Sequence, residues 1–145
     1  MRDLMTENPE LAQELIKTVE RANALDERGE AVEARRIYID AWSRLPAPKH
    51  EWSLFGQWIP TCLFNNSMES RDYAEARDWA KISYLGRPME DDTASMMQLG
   101  AANYELGDID AALEWFGKAY VIGARRAFEG FSKKYLDFYL KNARR

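Results

Sequence analysis

The chain has 145 residues, of which 46% are hydrophobic and 30% are charged, and it contains five Trp residues. Such a composition is ordinary for a globular domain and argues against a disordered chain, which could not bury enough apolar surface to fold. The formal net charge of −4 argues against a nucleic-acid partner, because binding to phosphates needs a basic face.

Cysteine content and hydropathy set the expected compartment. The single cysteine, Cys62, excludes an intramolecular disulfide and a CxxC metal site. Residues 1–7 lack the apolar run of a signal peptide, and no window holds the roughly 18 apolar residues of a membrane span. We therefore expect one cytoplasmic domain over residues 1–145, with no membrane partner.

Apolar residues recur at three- and four-residue steps almost throughout, which predicts an all-α protein. The predicted helices lie near 9–27, 30–45, 50–67, 72–86, 90–106, 109–121 and 132–143. Asn8 is a suitable cap for the first helix, and Pro9 suits its first position because the N–H there has no helical partner. Pro60 falls inside the third predicted helix, which must either kink there or begin later.

The clearest repeating unit begins near Thr93. It reads Leu99-Gly100, Tyr104, Leu106-Gly107-Asp108, Ala112-Leu113, Phe116 and Lys118-Ala119. Small residues at Gly100, Ala112 and Ala119 would let two helices of a hairpin approach closely, with Phe116 filling the space between them. Gly107 would permit the turn between the helices.

The same spacing recurs twice upstream. One unit contains Gly29, Ala34, Tyr38, Ala41 and Pro46, and the other contains Asp72-Tyr73, Ala76 and Pro88. The small residues Ala34, Ala76 and Ala112 are therefore 42 and 36 positions apart. The middle unit departs from the pattern, since Arg71 replaces the turn glycine and Ala80 replaces the aromatic residue. Trp79 is the candidate for the missing bulk.

These motifs resemble tetratricopeptide (TPR) repeats. The resemblance implies a TPR-like helical-hairpin solenoid of about three repeats, near 9–46, 50–88 and 93–123, with a C-terminal capping helix at 128–143. The spacing exceeds the period of about 34 residues in a TPR array, which predicts longer connections at 46–51 and 87–92.

The sequence contains no catalytic or metal-binding constellation. His50 lies beside Pro48-Lys49 at a predicted helix start, which favours a surface or capping role. Cys62 on a predicted helix is more typical of a buried small residue than of a nucleophile. The acidic run Glu90-Asp91-Asp92 is more typical of a helix cap than of a cation site. We expect neither catalysis, nor a cofactor, nor a bound metal.

The first helices of TPR hairpins line a concave groove, which implies candidate partner-binding residues. They are Asp26, Glu27, Trp58, Asn65, Glu69, Met97, Tyr104 and Glu105. Some TPR domains grip a C-terminal carboxylate with Asn and basic side chains. Here the matching positions are Val19, Asn23, Thr61, Asn65, Met97 and Ala101, which include no cation, so a carboxylate clamp is disfavoured.

Aromatic residues divide between core and groove in this interpretation. Trp42, Trp79 and Trp115 lie on second helices and are expected to pack in the core. Trp52 and Trp58 lie six positions apart on the third predicted helix and so point to different faces. Which of the two is exposed in the groove stays open.

Charge is distributed unevenly along the chain. Residues 125–145 hold seven basic and two acidic residues, which leaves 13 basic and 22 acidic residues, net −9, in residues 1–124. A basic tail beside a helix C-terminus is typical of a solvated end. The net negative charge of residues 1–124 would attract a basic partner.

Two further segments narrow the resemblance. Residues 45–52 (LPAPKHEW) and 128–138 (FEGFSKKYLDF), together with the last repeat, resemble small bacterial TPR proteins that accompany Rhs or contact-dependent polymorphic toxins. The resemblance covers about residues 25–140 and implies an immunity protein whose partner is another protein, with a basic toxin domain as the candidate. The alternative is a generic peptide-binding adaptor or chaperone, and an enzyme is a third hypothesis without a supporting motif.

Overall fold

The computed structural model describes residues 1–143; Arg144 and Arg145, at the end of the basic tail, lie outside the described residues. The α-helices are α1 (Leu4–Glu7), α2 (Pro9–Glu27), α3 (Ala31–Arg44), α4 (Phe55–Glu69), α5 (Tyr73–Leu85), α6 (Thr93–Glu105), α7 (Ile109–Gly123) and α8 (Lys133–Asn142). Two 3-10 turns, Lys49–Glu51 and Ala124–Phe128, complete the helical structure. The all-α class is confirmed.

One turn type closes the three hairpins α2–α3, α4–α5 and α6–α7. Its central residue has a positive φ, which is 83° at Gly29, 60° at Arg71 and 83° at Gly107. The next amide donates to a carbonyl five residues back, from Glu30 to Leu25, Asp72 to Ser67 and Asp108 to Asn103, each at 2.9 Å. Both features define a Schellman helix end, so the same local structure recurs three times.

Small residues lie where the two helices of each hairpin meet. Ala34, Ala76 and Ala112 are fully buried, and a second small residue seven positions later is buried too: Ala41, Ser83 and Ala119. A Cβ placed on Gly100 would lie 2.4 Å from the ring of Phe116. The spacing recognised in the sequence therefore marks the helix contacts.

Successive hairpins pack against one another in chain order. Helices α3 and α4, and α5 and α6, are in contact, and the first helices touch along the series α2, α4 and α6. Edge-to-face aromatic pairs join the second helices, with ring centroids 6.1 Å apart for Trp42–Trp79 and 5.0 Å apart for Tyr84–Trp115. First helices are thus neighbours in one layer and second helices in another.

The connection before α4 differs from the prediction, which began a helix at residue 50. The backbone of Arg2 pairs with this segment, accepting from Ser53 N at 2.7 Å and donating to Glu51 O at 2.9 Å. Trp52 is buried there, and its indole N–H donates to Pro46 O at 2.7 Å. Trp52 therefore belongs to the connection and not to α4.

Pro60 lies in the second turn of α4, which begins at Phe55. Because proline has no N–H, it leaves the carbonyl of Gly56 without its helical partner. That carbonyl faces Gly86 at the end of α5, where an added Cβ would lie 2.2 Å from Gly56 O. Because α4 begins only at Phe55, Pro60 interrupts the hydrogen bonding of its second turn and not of its middle, and the carbonyl that it frees lies against Gly86.

The C-terminal helix α8 covers the last hairpin. Tyr104 of α6 contacts Tyr135 and Phe138 of α8, at centroid distances of 5.4 and 4.8 Å. Phe116 of α7 lies 5.6 Å from Tyr135. The apolar face that the sequence places on this helix is used against α6 and α7.

Candidate functional site

A polar cavity of about 220 Å³ opens between α2, α3 and α4. We call it the acidic pocket; it is lined by Asn23, Asp26, Glu27, Tyr38, Cys62, Asn65 and Glu69. Its carboxylates come from two neighbouring first helices, so the packing of the first hairpin against the second creates the pocket.

The carboxylates lie where helix dipoles oppose them. Asp26 and Glu27 end α2, Glu69 ends α4, and neither helix has a basic residue in its last turn. The C-terminal end of a helix carries partial negative charge, which disfavours anions there by about 0.3–1 kcal/mol each. The helix ends and the side chains therefore add to one negative potential at the pocket.

The acids of the pocket lack cationic partners within the described residues. None of Asp26, Glu27 and Glu69 forms a salt bridge within residues 1–143. By contrast, Glu105 at the equivalent end of α6 is bound by Lys134 of α8 at 2.6 Å. The carboxylates of the acidic pocket are thus available to a cation from a partner.

The floor of the pocket is neutral. The buried hydroxyl of Tyr38 donates to Asn23 Oδ1, and burial first, followed by Cys62 and the nearby carboxylates, raises the pKa of Tyr38. Burial, and then the charge of Asp26, raises the pKa of the Cys62 thiol to about 12. The thiol of Cys62 is therefore protonated at neutral pH, which makes it a poor nucleophile.

Asn66 fixes the position of Asp26. This fully buried side chain donates through Nδ2 to Asp26 Oδ1 at 3.2 Å and to Ala31 O at 2.9 Å, and its Oδ1 accepts from Arg35 Nε at 2.8 Å. Arg35 also contacts Glu75 at 2.7 Å. The network joins both hairpins beneath the pocket, and sequence reasoning, which selected Asn65, missed it.

Four residues selected from the sequence meet in this pocket: Asp26, Glu27, Asn65 and Glu69. They occupy matching places near the ends of successive first helices, which explains why the repeat pattern located them together. Binding of a partner at these residues stays a prediction.

The other four lie elsewhere. Met97 is fully buried and offers no surface, because residues 95–103 of α6 are buried without a break. Tyr104 and Glu105 are engaged by α8 through the aromatic contacts and Lys134. Trp58 is partly buried, with its ring 6.2 Å from that of Phe55.

Other candidate chemistry is sparse in residues 1–143. No group of three His, Cys, Asp or Glu side chains is placed to hold a metal ion in that range. His50 lies exposed in the first 3-10 turn, away from the acidic pocket. Among these residues, no helix combines the length and apolar character needed to cross a bilayer.

Comparison with known proteins adds no family assignment. No protein-family model matches the chain, and no curated protein matches it with significant similarity. Membership of the TPR family and an association with toxins therefore stay predictions from the sequence.

Proposed function

We propose that this chain is a protein-binding module of the TPR type and that its acidic pocket receives a basic side chain of a partner protein. The observation that carries this proposal is the meeting of Asp26, Glu27 and Glu69 around a cavity of about 220 Å³. These carboxylates have no salt bridge within residues 1–143.

A cation in the pocket would relieve an unfavourable arrangement. Three carboxylates close together at helix C-termini repel one another and the helix dipoles. A Lys or Arg side chain would remove that repulsion and would find further acceptors in the amide oxygens of Asn23 and Asn65, which line the same cavity. Complementary charge of this kind also speeds association.

The TPR type is supported by local structure and spacing. The three hairpins close with the same turn. The buried small residues Ala34, Ala76 and Ala112 recur at intervals of 42 and 36 positions. In such arrays the first helices supply the binding surface, and the acidic pocket lies between the first helices α2 and α4.

The biological role that we propose is immunity against a basic bacterial toxin domain. It is supported by the segments at 45–52 and 128–138 and by the net charge of −9 in residues 1–124. A generic adaptor is the alternative, and it would bind many basic segments with similar affinity. The proposal assigns no catalytic role to Cys62, because burial raises the pKa of its thiol to about 12.

The test is affinity capture from lysate of the source cells with three forms of the immobilised chain. The pocket variant is Glu27→Lys/Glu69→Lys, and the matched control is Asp78→Lys/Asp110→Lys, whose acids are exposed on second helices and unpaired within residues 1–143. We expect one basic protein to be retained by the wild type and the control, released by salt, and lost from the pocket variant. Equal retention by all three forms would refute the proposal, and retention of many basic proteins would favour an adaptor.

A further inference from the structure

The turn of the second hairpin holds an arginine in a conformation that favours glycine. The φ of Arg71 is 60°, whereas Gly29 and Gly107 occupy the equivalent places in the other two hairpins. A residue with a Cβ is strained in this left-handed region, and glycine is not. Arg71 therefore makes the second turn less stable than the glycine turns of the same chain.

No charged or aromatic contact within residues 1–143 offsets this strain. The side chain of Arg71 is exposed, and it forms neither a salt bridge nor a cation–π contact in that range. The acids that follow it are engaged elsewhere, since Asp72 and Glu75 lie 3.5 and 2.7 Å from Nη1 of Arg35. The guanidinium of Arg71 is thus a cation that no described residue neutralises.

The position of Arg71 relates it to the acidic pocket. Glu69, two residues earlier, lines that pocket and forms no salt bridge within residues 1–143. Strained residues concentrate at binding sites, where contacts with a ligand stabilise what the fold alone does not. A protein that places a cation in the pocket would also bring its neighbouring groups close to this hairpin turn.

We propose that Arg71 binds a carboxylate side chain of the partner protein, beside the basic side chain that the acidic pocket receives. This inference rests on the proposed function and adds that the partner's surface carries an acid close to the base. Arginine suits the role because its planar guanidinium donates two parallel hydrogen bonds to one carboxylate. Glu69 and Arg71 then present a negative and a positive charge in a fixed order, which the partner must match with opposite charges.

A carboxylate fits this position better than a phosphate group. Arginine binds both with the same paired hydrogen bonds, but Arg71 lies between Glu69 and Asp72 along the chain, and residues 1–124 carry a net charge of −9. A phosphate group carries a charge of about −1.5 to −2 at neutral pH. The surrounding acids therefore repel it more strongly than they repel a carboxylate with a single charge.

Such a contact would contribute to the choice of partner. Exposed Lys and Arg side chains are common on protein surfaces, so an acidic pocket alone would accept many of them. A protein with a second base at the place of the acid would meet the like charge of Arg71, which disfavours it. Arg71 would thus distinguish the cognate partner from other basic proteins.

The test compares the wild type with Arg71→Gly by titration calorimetry, and the probe is the basic protein that salt releases from the immobilised wild-type chain. The control is Arg125→Gln, whose side chain is exposed without a salt bridge in residues 1–143. Either change makes the chain more acidic, so net charge alone would leave the affinity for a basic protein unchanged or raise it. We expect Arg71→Gly to bind at least about tenfold more weakly without a lower melting temperature, and Arg125→Gln to bind like the wild type.

An unchanged or higher affinity for Arg71→Gly would overturn the inference and leave the proposed function intact. An equal loss for Arg125→Gln would also overturn it, because the effect would then not be specific to Arg71. Failure of the proposed function would appear separately, as equal capture of the probe by the Glu27→Lys/Glu69→Lys variant.

A second measurement identifies the group that Arg71 binds. The carboxylates of the probe are converted to amides with a carbodiimide and glycinamide, and the treated probe is used after circular dichroism shows that its fold is retained. We expect the wild type and Arg71→Gly to bind the treated probe with similar affinities, because the acid that distinguishes them is gone. A tenfold difference that persists with the treated probe would overturn the assignment of a carboxylate.

Discussion

Gly86, at the end of α5, packs against the backbone at the start of α4. An added Cβ would lie 2.2 Å from the carbonyl oxygen and 2.6 Å from the carbonyl carbon of Gly56. The clash is with backbone, which cannot rotate away as a side chain can. Pro60 contributes to this geometry, since it leaves that carbonyl outside the helical hydrogen-bond ladder.

Gly86→Ala should therefore destabilise the protein by about 1–3 kcal/mol, as overpacking does. The matched control is Gly117→Ala in α7, where an added Cβ meets only Tyr139 ring atoms at 3.8 Å. Because alanine also favours the helix by about 1 kcal/mol over glycine, the control should be neutral or stabilising. Urea denaturation measures both, and equal midpoints for the two variants would refute this account of the α4–α5 contact.

Arg71 occupies a position that glycine fills in the other two hairpins. Its φ of 60° costs a residue with a Cβ about 1–2 kcal/mol, and Arg71 is exposed without a salt bridge in residues 1–143. Arg71→Gly should thus stabilise by about 1 kcal/mol, while Gly107→Ala should destabilise by a similar amount. Thermal denaturation measures whether each variant is more or less stable than the wild type. A lower melting temperature for Arg71→Gly would contradict the shared turn geometry.

Cys62 should react slowly despite being the only cysteine. Burial and Asp26 raise its thiol pKa from 9.0 to about 12, so the proton is retained throughout the neutral range. The thiolate fraction at pH 8 is then roughly 1,000-fold below that of a free thiol. Alkylation by iodoacetamide at pH 8 should be at least about 100-fold slower in native than in urea-unfolded protein. Similar rates would show that Cys62 is neither buried nor close to the negative charge of Asp26.

At the scale of elements, helices were predictable where their signals are local. The hairpins were predictable from small residues such as Ala112 and turn residues such as Gly107, because each has a steric role within one hairpin. The connection before α4 was not predictable, because it is held by Arg2, some 50 positions away. The burial of Met97 was equally hidden, since it depends on how the neighbouring helices pack around α6, in which residues 95–103 are all buried.

The C-terminal helix provides the test at this scale. Deleting residues 128–145 would remove Tyr135 and Phe138 from Tyr104 and Phe116, exposing aromatic surface on the last hairpin. We expect lower solubility, self-association and a lower melting temperature, because terminal repeats need a covering element. A truncated chain that stays monomeric in sedimentation velocity and melts at the same temperature would show that α8 is dispensable.

Over the whole molecule, the repeat pattern predicted only part of the candidate site. It brought together Asp26, Glu27 and Glu69, because equivalent helix ends lie side by side in stacked hairpins. It also included Glu105, which Lys134 neutralises at 2.6 Å, since a sequence pattern does not reveal how a later helix docks. Of the acids that the pattern selected, only those of the first two hairpins are therefore left without a salt bridge in residues 1–143.

The kinetics of association with the captured basic partner test the central claim most directly. Salt shortens electrostatic reach to about 10 Å at 0.1 M, so the wild-type association rate should fall by roughly tenfold or more as salt is raised from low to physiological levels. Glu27→Lys/Glu69→Lys should associate slowly at low salt and depend little on salt, whereas Asp78→Lys/Asp110→Lys should resemble the wild type. Equally fast association of the Glu27→Lys/Glu69→Lys variant at low salt would contradict a function based on the acidic pocket.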